Sequence, residues 1–160
     1  MIAAMPTVLF VCSGNLCRSP MAEYLLRSLL DRLPRWQAAS AGLAAIPGLP
    51  ASDEAVRVLA ESGIDLTPHR SKPITPGLLS QAAVVAAMTR VHRDCLALLD
   101  GGTAQKVFLL GSFGPAAQGR EIEDPIGGTV ARYRRCRDAI ADCLPGLVDF
   151  LETLTLPGSA

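Results

Sequence analysis

The continuously apolar run Ala82–Met88 limits most strongly what this chain can fold into. An unbroken apolar segment of this length is typical of a central strand covered on both faces, as in a parallel sheet. Thr7–Val11 has the same character and runs directly into turn-forming residues. Two shorter strand patterns, 36–40 and 106–110, alternate with helical spacing. The sequence therefore predicts an α/β fold with a parallel sheet.

Capping and helix-breaking residues suggest where the helices begin and end. Ser19 is expected to be the N-cap of the first helix, with Pro20 in its first turn and its end near Pro34. The pair Pro145-Gly146 is expected to break or kink the last helix. The predicted helical ranges are 19–34, 52–63, 90–99, 129–144 and 147–154, with a helical turn near 75–79.

Composition bounds the class of protein. The chain has 160 residues, 49% of them hydrophobic, and its 15 basic and 15 acidic side chains cancel. This predicts one domain over 1–160, with a core over about 6–154 and frayed termini. Zero net charge argues against nucleic acid as a partner. No apolar run reaches the roughly 20 residues of a membrane helix, so no membrane partner is expected.

The expected compartment is the cytoplasm. The segment Met1–Pro6 has no basic n-region and no cleavage pattern before a long apolar core, so a signal peptide is not expected. The five cysteines are an odd number. Free or catalytic thiols in a reducing compartment fit this count better than a disulfide framework does.

The turn from the first strand into the first helix carries the chemistry. It places Cys12 five residues before Arg18 and Ser19. A loop of this kind directs backbone N–H groups and the helix N-terminus at one point, which suits a tetrahedral oxyanion. Gly14 and Asn15 are residue types that tolerate the left-handed backbone such a cradle needs.

These residue types suggest phosphoryl transfer. The helix N-terminus and a nearby cation favour the thiolate of Cys12, which is then a nucleophile. Arg18 can hold two phosphoryl oxygens with its planar fork, and Ser19 can donate to the sulfur. Asp124, before Pro125 in a long loop, can serve as general acid and later as base. The pattern alone also allows a buried structural Cys12 with an N-capping Ser19, and an ordinary Asp-Pro turn.

The segment from Cys12 to Glu23, CSGNLCRSPMAE, resembles the signature of the low-molecular-weight protein tyrosine phosphatases. Glu123-Asp124-Pro125 resembles the general-acid loop of that family. Shorter matches follow in order at 40–42, 63–65, 69–71, 87–88 and 110–113. The resemblance covers roughly Thr7 to Leu151. Within the family, the chain resembles a bacterial branch that also includes protein arginine phosphatases.

The resemblance implies a doubly wound, four-stranded parallel sheet with helices on both faces. It implies a phosphocysteine at Cys12, with Arg18 and Asp124 as the other catalytic residues and no metal or cofactor. The expected partner is a phosphorylated protein, with inorganic phosphate or vanadate as inhibitor, and the chain is expected to be a monomer or weak dimer. The implied phosphate-binding residues are Ser13, Gly14, Asn15, Leu16, Cys17, Arg18 and Ser19. The implied supports of the loop are Asn15, Ser19, Ser40 and His69, although composition alone favours an ordinary loop histidine at 69.

Cys17 matches a family position that can pair reversibly with Cys12 and protect it from over-oxidation. A small buried side chain is an equally good interpretation of Cys17. The other thiols, Cys95, Cys136 and Cys143, belong to no motif and are expected to fill the core or the surface.

The sequence departs from the family pattern around the substrate cleft, whose expected residues are Leu16, Ile46, Pro125 and Ile126. Tyrosine-directed members have aromatic side chains where this chain has Ile46 and Ile126. The pair Gly127-Gly128 resembles the arginine-directed branch, whereas Leu16 replaces the threonine of that branch. The sequence favours phosphotyrosine and aryl phosphates over phosphoarginine.

Two other functions are less well supported by the sequence. An arsenate reductase needs two further cysteines close together after the third strand, where Cys95 stands alone, and Pro20 also departs from that pattern. A non-catalytic anion-binding module would lack the nucleophile, the arginine or the acid, and this chain has all three.

Overall fold

A four-stranded, all-parallel sheet with the strand order β2-β1-β3-β4 forms the centre of the molecule. The structure is a computed structural model that describes residues 5–115 and 120–154. The strands are β1 (Thr7–Cys12), β2 (Gln37–Gly42), β3 (Ala82–Ala87) and β4 (Val107–Leu109). The expected frayed ends at 1–4 and 155–160 lie outside the described residues.

Helices cover both faces of this sheet, as predicted. They are α1 (Arg18–Arg27), α2 (Asp53–Ala60), α3 (Pro76–Gln81), α4 (Arg90–Leu99) and α5 (Val130–Thr153). Alternate side chains of β1 enter two separate cores: Val8 and Phe10 pack in the core that contains α1, α2 and α5. Leu9 and Val11 pack in the core that contains α3 and α4. This alternation explains why β1 has to be apolar on both faces.

Three local predictions were wrong. The N-cap of α1 is Cys17, and no side chain caps this end, because the Ser19 hydroxyl contacts the side chains of Cys12 and Asn15 instead. Helix α1 ends at Arg27 and is followed by a 3-10 turn, a common way for the chain to leave a helix.

The third correction concerns Pro145-Gly146, which lies inside the continuous helix α5. Buried side chains on both sides of Pro145, among them Ile140, Leu144 and Leu147, hold the helix together despite the lost backbone hydrogen bond. Gly146 has a packing role: a Cβ there would lie 2.1 Å from the carbonyl oxygen of Phe113. Among the residues described, no helix has both the length and the apolarity to cross a membrane.

The strand order places the end of β1 at a point where the topology changes direction. β1 lies between β2 and β3, so the connections that leave β1 and β3 run to opposite faces of the sheet. In open α/β sheets, ligands bind in the crevice beyond the carboxyl ends of the strands at such a point. Residues 13–17, which join β1 to α1, lie there.

Candidate active site

Residues 13–18, which we call the cradle loop, wrap around the end of β1. Asn15 has a left-handed backbone with φ of 57°, as its residue type predicts, whereas Gly14 does not have a positive φ. The loop lies close against β2, since a Cβ on Gly42 would be 2.5 Å from the carbonyl oxygen of Ser13. A glycine at 42 is therefore needed for this close approach.

The carbonyl oxygens of the cradle loop accept hydrogen bonds from the surrounding protein. The amide of Ala44 donates to Ser13 over 2.9 Å, and the amide of Ser52 donates to Leu16 over 3.0 Å. By contrast, within the described ranges no amide N–H of residues 13–18 donates to another protein group. These amides and the N-terminus of α1 can therefore donate to an oxyanion.

Asn15 is the centre of a buried polar network. Its Nδ2 donates to Ser19 Oγ over 2.8 Å and to Ser40 Oγ over 2.9 Å. Its Oδ1 accepts from the amide of Lys72 over 3.0 Å. Its carbonyl oxygen is 2.8 Å from His69 Nε2, which must be the donor because a carbonyl only accepts. The four residues expected to support the loop therefore lie together, and burial lowers the pKa of His69, which favours the neutral ring.

Glu23 extends this network and was not singled out as a site residue in the sequence. Its buried carboxylate accepts from Ser40 Oγ over 2.5 Å and pairs with Arg27. The sequence signal that could have indicated Glu23 is its spacing from Ser19, because residues four apart share one face of a helix. A buried carboxylate with two partners holds Ser40 in one orientation.

The thiol, the guanidinium and the carboxylate of the predicted site meet at the cradle loop. Cys12 Sγ is buried, 2.9 Å from Ser19 Oγ. The Arg18 side chain is also buried and donates to the carbonyl oxygen of Ile122 over 3.1 Å. The second terminal nitrogen of Arg18 is 3.0 Å from Asp124 Oδ2, so the two side chains form an ion pair across the site.

Residues 120–128, which we call the acid loop, present Asp124. The other carboxylate oxygen of Asp124 accepts from the amide of Ile126 over 3.1 Å. Gly127 follows with φ of 72°. A Cβ on Gly128 would lie 2.8 Å from the carbonyl oxygen of Pro125. Both glycines are therefore required by the geometry of this turn.

One cavity of about 190 Å³ joins the two loops. Its lining residues are Cys12, Ser13, Gly14, Leu16, Cys17, Arg18, Asp124 and Ile126. Of the four residues expected in the substrate cleft, Leu16 and Ile126 line this cavity. Ile46 is 66% exposed and Pro125 is buried, and neither lines it.

The remaining thiols lie in different surroundings. Cys17 is buried, with Ser52 Oγ at 3.3 Å and the Tyr133 hydroxyl at 3.2 Å, and burial raises its pKa. Burial also raises the pKa of Cys136 to about 12 and that of Cys143 to about 11. All five cysteines are free thiols, and Cys95 is the exposed one.

His92 is a second histidine at the site, and no sequence signal pointed to it. It comes from the first turn of α4, and its Nε2 is 2.9 Å from Ser13 Oγ. Among the described side chains, no group of three or more His, Cys, Asp or Glu is arranged to hold a metal ion.

The chain belongs to a known family. The profile of the low molecular weight phosphotyrosine protein phosphatases matches residues 7–155, so the chain is a member of that family. A protein-arginine-phosphatase from Bacillus subtilis is 38% identical over 146 residues, covering 91% of this chain and 96% of the relative. A probable low molecular weight protein-tyrosine-phosphatase, EpsP, from Ralstonia nicotianae is 40% identical over 134 residues, covering 84% and 88%.

Solved structures agree with this assignment. A low molecular weight protein tyrosine phosphatase from T. tengcongensis has a TM-score of 0.84 and 37% identity, with coverage of 91% of this chain and 99% of the other. The prediction of the family and of its fold is confirmed, and the chain is a phosphatase of this family.

Proposed function

We propose that this chain hydrolyses phosphotyrosine in proteins, and aryl phosphates, through a phosphocysteine at Cys12. The observation that carries the proposal is a cavity lined by Cys12, Arg18 and Asp124 together, at a loop whose amides donate to no other group among the described residues. A nucleophile, an oxyanion cradle and a proton donor around one cavity are what phosphoryl transfer requires.

In the first step, the Cys12 thiolate attacks phosphorus, an S–P bond forms, and the ester P–O bond breaks. Asp124 gives a proton to the departing phenolic oxygen. Arg18 and the cradle amides bind the phosphoryl oxygens as charge develops on them. The carbonyl oxygen of Ile122 holds one end of the buried guanidinium, and the other terminal nitrogen exchanges Asp124 for a phosphoryl oxygen when the substrate binds.

In the second step, water attacks phosphorus and Asp124 takes a proton from that water. The S–P bond breaks, and inorganic phosphate leaves with the thiolate restored. Ser19, 2.9 Å from the sulfur, stabilises the sulfur as it regains its negative charge.

The walls of the cavity favour an aryl ester. Leu16 and Ile126 offer apolar surface, and Leu16 has no polar atom to bind a guanidinium. A phenyl ring is buried by aliphatic walls, although it loses the stacking of about 0.5–1.5 kcal/mol that an aromatic partner provides.

A protein arginine phosphatase is the second candidate. It is favoured by the relative from Bacillus subtilis that has this name. The Gly127-Gly128 pair is a weaker indication of this substrate than its sequence suggested, because the turn itself requires both glycines.

An arsenate reductase is disfavoured by the state of the spare thiols. Cys136 and Cys143 are buried, with pKa values raised to about 12 and 11, so neither is a good partner for thiol exchange at neutral pH.

Cys17 lines the cavity together with Cys12, and we propose that the two thiols can pair reversibly. We also propose a cytoplasmic location, which the odd number of cysteines favours.

The chemistry is tested with p-nitrophenyl phosphate in the presence of a chelator. We expect turnover without metal, inhibition by vanadate and by inorganic phosphate, and loss of turnover in Cys12→Ser with phosphate binding retained. Cys143→Ser, a buried thiol outside the cavity, is the matched control. Full activity of Cys12→Ser would exclude Cys12 as the nucleophile.

The substrate is tested by comparing phosphotyrosine and phosphoarginine peptides of the same sequence. We expect a higher kcat/KM for phosphotyrosine, and a shift toward phosphoarginine in Leu16→Thr. A higher kcat/KM for phosphoarginine in the unmodified chain would favour a protein arginine phosphatase. If Leu16→Thr leaves the ratio of the two kcat/KM values unchanged, Leu16 does not determine the preference.

A further inference from the structure

His92 lies against the cradle loop but takes no part in the chemistry described above. The residue is 5% exposed, and its Nε2 is 2.9 Å from Ser13 Oγ. The backbone beneath the ring is fixed, because the His92 amide donates to Thr89 Oγ1 over 3.2 Å at the start of α4. A regular helix therefore sets the position of the imidazole relative to Ser13.

The imidazole is neutral at physiological pH. Burial lowers the pKa of His92 to about 4, and the charge of Arg18 acts in the same direction. The carboxylates of Asp124 and Glu121, which face it from the acid loop, act in the opposite direction and do not overcome burial. A neutral imidazole has one N–H donor and one acceptor nitrogen.

The surroundings of Nδ1 decide which nitrogen carries the proton. Within residues 5–115 and 120–154, this buried atom has no hydrogen-bond partner. A proton on Nδ1 would bury an unpaired N–H donor, and such donors are rarer in proteins than unpaired acceptors. With the proton on Nε2, His92 donates to Ser13 Oγ and only an acceptor remains unpaired.

The direction of this hydrogen bond determines what Ser13 can do. A hydroxyl that accepts from His92 keeps its own proton for a different acceptor. Ser13 lines the same cavity as Cys12 and Arg18. The free O–H of Ser13 is therefore available to an oxygen of a group bound beside the thiol.

We propose that His92 is a positioning residue: by donating from Nε2 to Ser13 Oγ, it keeps the Ser13 hydroxyl as a donor to an oxygen of the bound phosphoryl group. The proposal rests on the phosphatase function above, because that donor needs a phosphoryl group next to Cys12. It links the first turn of α4 to the reaction site through one side chain.

The first test is the tautomer of His92 in the whole enzyme. The chain contains two histidines, so ¹⁵N-histidine NMR at pH 7, with His92→Gln for assignment, resolves both rings. We expect a neutral ring with its proton on Nε2, and a proton on Nδ1 or a charged ring would overturn the proposal. This measurement needs no catalytic activity, so its failure is distinguishable from a failure of the phosphatase function.

The second test is a double-mutant cycle read with p-nitrophenyl phosphate and with inorganic phosphate as inhibitor. His92→Phe and Ser13→Ala are each expected to lower kcat/KM about three- to tenfold and to weaken phosphate inhibition by a similar factor. If His92 acts through Ser13, the double variant is no worse than Ser13→Ala alone. Losses that multiply would show a separate, structural effect of His92 and would contradict the proposal.

Three more variants keep this cycle interpretable. His92→Gln, whose amide can still donate, is expected to recover most of the loss, whereas His92→Leu replaces His92→Phe if the larger ring prevents folding. Val91→Gln changes an exposed neighbour on α4, 69% exposed, and is expected to match the unmodified chain. No recovery in His92→Gln would count against a role as donor.

Discussion

The two loops that meet at the cavity are held in different ways. The cradle loop is fixed from beneath by buried side chains, with Asn15 in contact with four separate groups. The base of the acid loop is anchored, because buried Ile122 donates its amide to the carbonyl oxygen of Met88. Its tip is held by its own tight turn and by Arg18, and the Asp124 side chain is 44% exposed. A rigid cradle suits charge that develops at a fixed point, whereas a carboxylate that first donates and later accepts a proton needs freedom to adjust.

The largest effect that separates the two loops is expected from Asp124→Asn. The amide cannot transfer a proton but keeps the shape of the side chain, so kcat for phosphotyrosine should fall about a thousandfold. Because the Asp124 side chain is 44% exposed, thermal stability should stay close to that of the unmodified chain. Steady-state kinetics and a thermal melt check both parts. A large drop in stability would mean that the acid loop is held as firmly as the cradle.

Asn15→Ala should damage activity and stability together. It removes buried hydrogen bonds and leaves alanine in a left-handed backbone, which together cost about 3 kcal/mol. The cradle then loses its shape, and kcat/KM should fall about a hundredfold. Chemical denaturation and assay of the same preparation check this. Loss of activity with unchanged stability would contradict the view that the network holds the fold of the loop.

The pH dependence of stability should show that His92 is buried neutral. The pKa of its side chain is lowered in the folded state to about 4, so between roughly pH 6.5 and pH 4 the unfolded chain binds more protons. Stability therefore falls as pH drops through this window, by about 2 kcal/mol from pH 7 to pH 5 on account of His92. Chemical denaturation at pH 7 and pH 5 gives the change in the free energy of unfolding, and the difference from His92→Gln gives the contribution of His92. Equal pH slopes in the two proteins would contradict it.

Gly42→Ala tests the support of the cradle from β2. The new Cβ would lie 2.5 Å from the Ser13 carbonyl oxygen, so the loop must shift, at a cost of about 1–3 kcal/mol. We expect phosphate inhibition to weaken about tenfold, measured with p-nitrophenyl phosphate. Gly101→Ala is the control, because no atom lies within 4 Å of a Cβ there. Equal phosphate inhibition in Gly42→Ala and Gly101→Ala would show that Gly42 does not support the cradle loop.

The smallest expected effect concerns the rim of the cavity. Ile126→Tyr adds an aromatic partner for a phenyl ring and should raise kcat/KM for phosphotyrosine about threefold. Ile46→Tyr is the matched change at an exposed position outside the cavity lining, and it should have less effect on a short peptide. A larger gain at 46 than at 126 would show that the cleft extends over the loop after β2.

Much of the fold was predictable because the strands are apolar without interruption. Ala82–Met88 and Thr7–Val11 each lie in the middle of the sheet, where burial on both faces selects such runs. The helix interruption at Pro145 was wrongly predicted, because packing around Gly146 and Phe113 outweighs a local helix-breaking signal.

The site was predictable in so far as its residues are close in sequence. Cys12, Arg18 and Ser19 fall on one turn, so their spacing already places them together. Asp124 needed the family resemblance, because an Asp-Pro pair is common in turns. His92 was not predictable, since its contact with Ser13 joins residues 79 apart and depends on the order of the strands.

The central claim, a thiol that attacks phosphorus within an oxyanion cradle, is tested most directly by trapping the covalent intermediate. Asp124→Asn slows the second step, while p-nitrophenol leaves without help from an acid. After rapid mixing with p-nitrophenyl phosphate and quenching in denaturant, peptide mass spectrometry should find one phosphoryl group on Cys12, with a matching burst of p-nitrophenol. A phosphoryl group on another residue, or turnover with no enzyme-bound phosphate, would contradict the account.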